Sequence, residues 1–226
     1  MPVVQLDNLQ LYYQDIGDGD DVLLALHPST VSGILFQWAL PKNNRFRVLL
    51  PDQRGHGQTP NHAPNMHITR LIDDMLDFLD ALNIDTFHAI GYSMGAAVLL
   101  GMATHIPDRF KSLVVIGANH RPPTNEQFTH LAGPIEDRKG IVLEVMHPER
   151  GIGVGWEYDL EDLAHLTCPV NLIAGDRDPV NRLEDVLELY RALPNGRLLV
   201  VPECAHFGFH TNPLVLQQLK MLYDEA

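Results

Sequence analysis

A serine placed between two glycines is the strongest chemical signal in this sequence. The motif Gly91-Tyr92-Ser93-Met94-Gly95 directly follows the apolar run FHAI and directly precedes the small-residue run MGAAVLLGMA. A serine on a tight turn between a strand and a helix presents its hydroxyl above the sheet, at the positive end of the helix dipole, where it can act as a nucleophile. Serine is also a favoured helix cap. The motif alone therefore leaves a purely structural alternative open.

A serine nucleophile needs a base within hydrogen-bond reach, and that base needs an acid to orient it. Downstream of Ser93, the segment LIAGDRDPV places Asp176 and Asp178 just beyond an apolar run, and VVPECAHFGF places His206 beyond the last such run. The order serine, acid, histidine is the one expected for acyl transfer at a serine of this kind. The two aspartates are alternatives for the acid because they are two residues apart, and His210 competes with His206.

Short apolar runs bounded by glycine, proline or aspartate predict the strands that position these side chains. Runs that are apolar on both faces are typical of a parallel sheet covered on both sides. They lie at 22–27, 47–52, 87–93, 112–118, 169–176 and 196–203. Residues 3–6 and 9–14 instead alternate apolar and polar side chains, which predicts an antiparallel hairpin at a sheet edge.

Helical periodicity lies between these strands. It is clearest at 69–82, where the aspartates at 73, 74, 77 and 80 are expected to face water opposite an apolar face, and it recurs at 94–105 and 182–193. The alternation predicts an α/β fold: a doubly wound, mostly parallel sheet that binds ligands at the carboxyl ends of its strands.

One segment, 119–167, breaks the alternation of strand and helix. A connection of this length inside a compact domain is usually a functional lid or a binding segment. We therefore predict one domain over 1–226, with a short lid or cap insertion at 119–167. The largely apolar side chains of this insertion favour a small or flat hydrophobic acyl group, but an apolar helical face can equally just cover the core.

Taken together, these motifs resemble the α/β-hydrolase fold family, in particular its esterase, lactonase and carbon–carbon bond hydrolase members. Five segments match in order over nearly the whole chain: VLLALHP (22–28), PDQRGHGQT (51–59), GYSMG (91–95), CPVNLIAGDRDPV (168–180) and PECAHF (202–207). The resemblance implies a catalytic triad of Ser93, Asp178 and His206. The family's acid is the last residue of a G-x-x-D pattern, which favours Asp178 over Asp176.

The resemblance also implies an oxyanion hole built from the backbone N–H groups of Met94 and Ser29. Family members usually have His-Gly where this sequence has His27-Pro28. Proline fixes φ and lacks an N–H, so the loop departs from the family pattern, although Ser29 keeps its amide. The candidate pocket residues are His27, Tyr92, Phe128, Trp156 and Phe207, and His56 is a further neighbour of the pocket.

Composition excludes several classes of function. A formal net charge of −13, with only 16 lysines and arginines, argues against nucleic-acid binding and favours a small-molecule partner. A basic leader and an apolar stretch of about 20 residues are both lacking, so no membrane partner is expected. Two cysteines suit a reducing cytoplasm. Neither the spacing of His62 and His67 nor any glycine-rich fingerprint predicts a metal or a cofactor.

The leading hypothesis is hydrolysis of a small carboxylic ester through an acyl-enzyme on Ser93. Lactone opening, or cleavage of a carbon–carbon bond next to a ketone, would use the same triad and is the alternative enzymatic hypothesis. A catalytically silent member that only binds a ligand is the alternative of a different class. The sequence leaves the oligomeric state open.

Overall fold

Eight strands form one sheet in the computed structural model, which describes residues 1–225. The strands are β1 (Val3–Leu6), β2 (Leu9–Ile16), β3 (Asp21–Leu26), β4 (Phe46–Pro51), β5 (Phe87–Tyr92), β6 (Phe110–Ile116), β7 (Val170–Gly175) and β8 (Gly196–Val201). Their order across the sheet is β1-β2-β4-β3-β5-β6-β7-β8. The pairs β1–β2 and β2–β4 are antiparallel and the others are parallel. The predicted sheet and hairpin are confirmed.

Helices cover both faces of the sheet, as the two-sided apolar strands require. They are α1 (Ile68–Ala81), α2 (Met94–His105), α3 (Asn125–Ala132), α4 (Gly140–Val145), α5 (Leu160–Leu163), α6 (Leu183–Ala192) and α7 (Pro213–Glu225). Alternate residues of β3 point into two separate cores: Leu24 and Leu26 join the core that contains α1 and α2, whereas Leu23 joins the core that contains α7. This division places the carboxyl ends of the parallel strands between two helical layers.

Asp74 corrects the predicted polar face of α1. Its carboxylate is buried and accepts two hydrogen bonds from the Arg54 guanidinium, from Nε at 2.7 Å and from Nη2 at 2.6 Å. Burial raises the pKa of the Asp74 carboxyl, and the Arg54 charge opposes that rise. The prediction that Asp74 faces water is wrong because helical periodicity cannot reveal a cation supplied by a distant turn.

The 119–167 segment connects β6 to β7 and contains α3, α4 and α5. A capping box between Thr124 and Gln127 begins α3. The buried guanidinium of Arg138 donates to the carbonyl oxygens of Gly133 at 2.9 Å and Met146 at 2.5 Å, which ties the segment to itself. The Arg150 carbonyl of the segment also accepts a hydrogen bond from the Met66 N–H at 2.6 Å. The segment is therefore held in place by internal and external hydrogen bonds.

Candidate active site

Ser93 lies on a strained turn between β5 and α2. Its φ of 50° and ψ of −116° are unusual for a residue with a side chain, and its N–H donates to the Ile116 carbonyl of the neighbouring strand at 2.8 Å. The flanking glycines are required by close backbone approach. A Cβ added to Gly91 would lie 2.6 Å from the Ala96 nitrogen, and one added to Gly95 would lie 2.2 Å from a carbonyl oxygen of β3.

The close approach at Gly95 predicts a large effect on stability. We expect Gly95→Ala to lower the free energy of unfolding by about 2 kcal/mol or more, because the clashing Leu26 carbonyl belongs to a central strand and cannot rotate away. Gly153→Ala is the matched control, since a Cβ there would be 3.5 Å from the nearest non-adjacent atom, an ordinary contact. Urea unfolding of both variants measures the difference. Equal stability of Gly95→Ala and wild type would contradict the geometry of this turn.

The structure brings Ser93, His206 and Asp178 together in one hydrogen-bonded chain. Ser93 Oγ is 2.9 Å from His206 Nε2, and His206 Nδ1 is 2.8 Å from Asp178 Oδ2. The other carboxylate oxygen of Asp178 accepts from the N–H groups of Val180 at 2.9 Å and Asn181 at 3.0 Å. With the imidazole proton on Nδ1, Asp178 accepts it, and Nε2 is free to accept the proton of the serine hydroxyl.

The competing residues lie elsewhere. The Asp176 side chain is partly exposed and faces the Arg177 guanidinium at 3.9 Å rather than a histidine. His210 is exposed, and its ring packs 6.3 Å from that of Trp38. The Tyr92 hydroxyl donates a hydrogen bond to the His206 carbonyl, and burial raises the pKa of this phenol, which keeps it a donor. Tyr92 therefore helps to fix the main chain that carries the histidine.

Two backbone amides near Ser93 are free to donate to a bound ligand. Met94 begins α2, so its N–H has no carbonyl partner within the helix. Ser29 lines the same cleft as Ser93. Over residues 1–225, neither amide makes a hydrogen bond within the protein. These are the two amides that the sequence pattern indicates for an oxyanion hole.

His27 supports the loop that carries Ser29 and does not line the cleft. Its side chain is fully buried: Nε2 accepts from the Gln53 N–H at 3.0 Å, so Nδ1 carries the proton and donates to the Pro28 carbonyl at 2.7 Å. The Gln53 side-chain amide donates to the His27 carbonyl at 2.8 Å. The prediction of His27 as a pocket residue is corrected accordingly. His56 is likewise buried, with its ring centroid 5.1 Å from that of His27, and does not border the cleft.

Burial is the main cause that lowers the pKa of His27 to about 3, and the charge of the neighbouring His56 lowers it further. The His27 ring should therefore stay neutral at every pH above about 4, while the unfolded chain binds a proton near pH 6.5. Because the unfolded state binds more protons between these values, this residue should lower stability as pH falls from about 6.5 toward 3. Side-chain nitrogen NMR, with His27→Gln to assign the resonance, measures the titration. A midpoint above pH 5 would contradict the burial described here.

The cleft above Ser93 has an inner and an outer part. Phe128 and Trp156 of the 119–167 segment line the inner part, which holds only about 10 Å³ of free space, on the order of one water molecule. Tyr92 and Phe207 line the outer part, which has a volume of about 240 Å³. Ser93 borders both. Four of the five predicted pocket residues therefore line the cleft.

Sequence reasoning missed three polar residues of the inner cleft, Asn119, Arg121 and Asn181. The first two follow β6 by a few residues, and Asn181 lies three residues beyond Asp178. Polar side chains just past the carboxyl ends of parallel strands were the available signal. Periodicity could not distinguish them from ordinary loop residues.

Over residues 1–225, no group of three or more histidine, cysteine, aspartate or glutamate side chains is placed to hold a metal ion. None of the helices in this range has both the length and the apolar character needed to cross a bilayer.

Comparison with known proteins identifies the fold. A family model described as the alpha/beta hydrolase fold matches residues 31–136. The chain has the α/β-hydrolase fold. A solved thermophilic esterase from Thermogutta terrifontis superimposes on this structure with a TM-score of 0.77 and 20% identity, over 100% of this chain and 99% of that one. This likeness shows the fold.

One relative in sequence is a lactonase by name, and another is a serine hydrolase by name. The 3-oxoadipate enol-lactonase 1 of Acinetobacter baylyi is 31% identical to this chain over 124 residues, which are 55% of this chain and 46% of the lactonase. The human serine hydrolase BPHL is 24% identical over 229 residues, covering 90% of this chain and 79% of the relative. The relatives indicate a hydrolytic enzyme.

Proposed function

We propose that this α/β-hydrolase cleaves a small carboxylic ester through an acyl-enzyme on Ser93. The observation that carries the proposal is the continuous chain from Ser93 Oγ through His206 to Asp178, with hydrogen bonds of 2.9 and 2.8 Å. The His206 and Asp178 side chains are 4% and 0% exposed, so water does not compete for these bonds. A buried, oriented base next to a strained serine supports nucleophilic catalysis.

Acylation follows from this arrangement. Ser93 Oγ attacks the ester carbonyl carbon while His206 Nε2 takes the hydroxyl proton, and Asp178 stabilises the resulting imidazolium. The carbonyl electrons move onto the oxygen, which accepts hydrogen bonds from the N–H groups of Met94 and Ser29. When the carbonyl re-forms, the bond to the leaving oxygen breaks, and His206 gives its proton to the departing alcohol.

Deacylation repeats the same steps with water. His206 Nε2 takes a proton from a water molecule that attacks the acyl carbon, and the same two amides hold the oxyanion. Collapse of this intermediate breaks the bond to Ser93 Oγ, which recovers its proton from His206. The free acid leaves, and the starting protonation state returns.

The 119–167 segment acts as a lid within a single domain in this proposal. It contributes Phe128 and Trp156 to the inner cleft, whose free space of about 10 Å³ takes only a small part of the acyl group, while the rest of the substrate lies in the outer cleft. The narrow inner space favours a short acyl group. No cofactor or metal takes part, and a cytoplasmic setting is expected from the two free cysteines.

Lactone opening and carbon–carbon bond cleavage are the second candidate, because they use the same triad and because one relative is named an enol-lactonase. A panel of matched 4-nitrophenyl esters, lactones, carbamates and diketones tests the ranking, with Ser93→Ala as the control. We expect the highest kcat/KM on short-chain esters. A higher value on lactones or diketones would overturn ester specificity, and no turnover of any member would favour a ligand-binding protein.

A further inference from the structure

Two hydrogen bonds of Asn119 determine which side-chain atoms of Asn119 and Asn181 are donors and which are acceptors. The Arg121 N–H donates to Asn119 Oδ1 at 2.7 Å, so this atom is the amide oxygen and not the nitrogen. Asn119 Nδ2 therefore donates, and its acceptor is Asn181 Oδ1. Because Asn181 Oδ1 accepts this hydrogen bond, the other atom of the Asn181 amide is the nitrogen Nδ2, which is a donor.

Asn181 Nδ2 is a buried donor without a partner. The residue is 3% exposed, and over residues 1–225 this nitrogen makes no hydrogen bond. Asn181 borders the inner cleft together with Ser93. A buried N–H group without an acceptor is unfavourable, and this one borders the cleft beside Ser93, where the oxygen of a bound substrate can supply the acceptor.

The charges around the inner cleft indicate what kind of acceptor fits. Arg121 is the one cationic side chain among the described residues that line it, and its Nη1 is 2.8 Å from carboxylates of both Asp185 and Glu188. Because both acidic residues already neutralise Arg121, a substrate carboxylate would lose its hydration there and gain no free cation in return. A ketone, ether or hydroxyl oxygen needs only one donor, which Asn181 supplies.

We propose that the acyl group of the substrate carries a neutral hydrogen-bond-accepting oxygen that binds Asn181 Nδ2. The inference rests on the proposed ester hydrolysis and deepens it. Because Asn181 and Ser93 line the same inner cleft, we assign this oxygen to the acyl part of the substrate. Asn181 is thus a specificity-determining residue, since it contacts the part of the substrate that stays on Ser93 in the acyl-enzyme.

Matched esters that differ by one oxygen test the proposal. One pair is 4-nitrophenyl methoxyacetate and butanoate, and the other is 4-nitrophenyl 4-oxopentanoate and 4-methylpentanoate. For each pair, the kcat/KM ratio is measured in wild type, Asn181→Asp and Asn181→Leu. Asn181→Asp keeps an acceptor for Asn119 but loses the free donor, and Asn181→Leu removes both groups. The backbone N–H at 181, which donates to Asp178, remains in each variant.

We expect the ratio of the oxygen-bearing ester to its hydrocarbon partner to fall about tenfold in both variants for at least one pair. The intrinsic reactivity of each ester cancels because the same pair is compared across proteins. Unchanged ratios in both variants, with ester hydrolysis still present, would overturn the role of Asn181. Preference for a 4-nitrophenyl hemisuccinate over all four esters would overturn the neutral oxygen. Absence of hydrolysis and of Ser93 labelling in wild type would overturn the proposed function itself, and this inference with it.

Discussion

Replacement of Ser93 by alanine should lower kcat for a short-chain ester by about 10⁴- to 10⁶-fold. The variant lacks the atom that forms the acyl-enzyme, and the remaining His206–Asp178 pair has no positioned nucleophile to activate. The oxyanion amides stay in place, which leaves a small residual rate above that of water alone. Steady-state kinetics with 4-nitrophenyl acetate, corrected for spontaneous hydrolysis, measures the loss.

Ser112→Ala is a suitable control for this loss. Ser112 lies near the start of β6, at the opposite end of the sheet, where its hydroxyl is 2.8 Å from His88 Nδ1. We expect kcat of this variant to stay within about twofold of wild type, because surface and peripheral substitutions rarely reach the active site. Retention of more than a tenth of the wild-type rate by Ser93→Ala would show that another group is the nucleophile.

Replacement of Asp178 by asparagine should lower kcat by about 10⁴-fold with little change in stability or fold. An amide at this position can donate to His206 Nδ1, which places the imidazole proton on Nε2. A protonated Nε2 can no longer accept the proton of Ser93. The loss should therefore come from the wrong tautomer. Kinetics across pH 6–9, together with a circular dichroism spectrum, separates this effect from unfolding.

Asp176→Asn is the matched control for the acid. The Asp176 carboxylate is partly exposed and faces the Arg177 guanidinium at 3.9 Å, so we expect a change of less than about twofold in kcat. The same chemical change two residues away should thus have an effect smaller by more than three orders of magnitude. An equal or larger loss in Asp176→Asn would show that the assignment of the two aspartates is reversed.

The sequence predicts the sheet well because its parallel strands are covered on both faces. Runs such as 22–27 and 87–93 carry apolar residues on both faces, and the structure shows alternate residues entering two cores. Ser93 was identifiable because a strained turn needs glycines on both sides. Asp178 was not distinguishable from Asp176 by position alone and needed the family pattern.

What the sequence did not reveal depends on contacts between distant segments. Asp74 follows the spacing of a polar helix face, yet it is buried because it forms an ion pair with the Arg54 guanidinium of a distant turn. His27 has the position of a pocket residue, but its Nε2 accepts a hydrogen bond from the Gln53 N–H, which holds the loop in place. The free donor of Asn181 is defined by two preceding hydrogen bonds, which no local pattern encodes.

Fluorophosphonate labelling followed by mass spectrometry of the digested protein tests the central role of Ser93 most directly. The reagent phosphonylates a serine only where a base activates the hydroxyl and an oxyanion site accepts the phosphonyl oxygen. We predict one adduct per chain, on the peptide that contains Ser93, and its disappearance in Asp178→Asn but not in Asp176→Asn. A folded wild-type protein without an adduct on Ser93 would contradict the account.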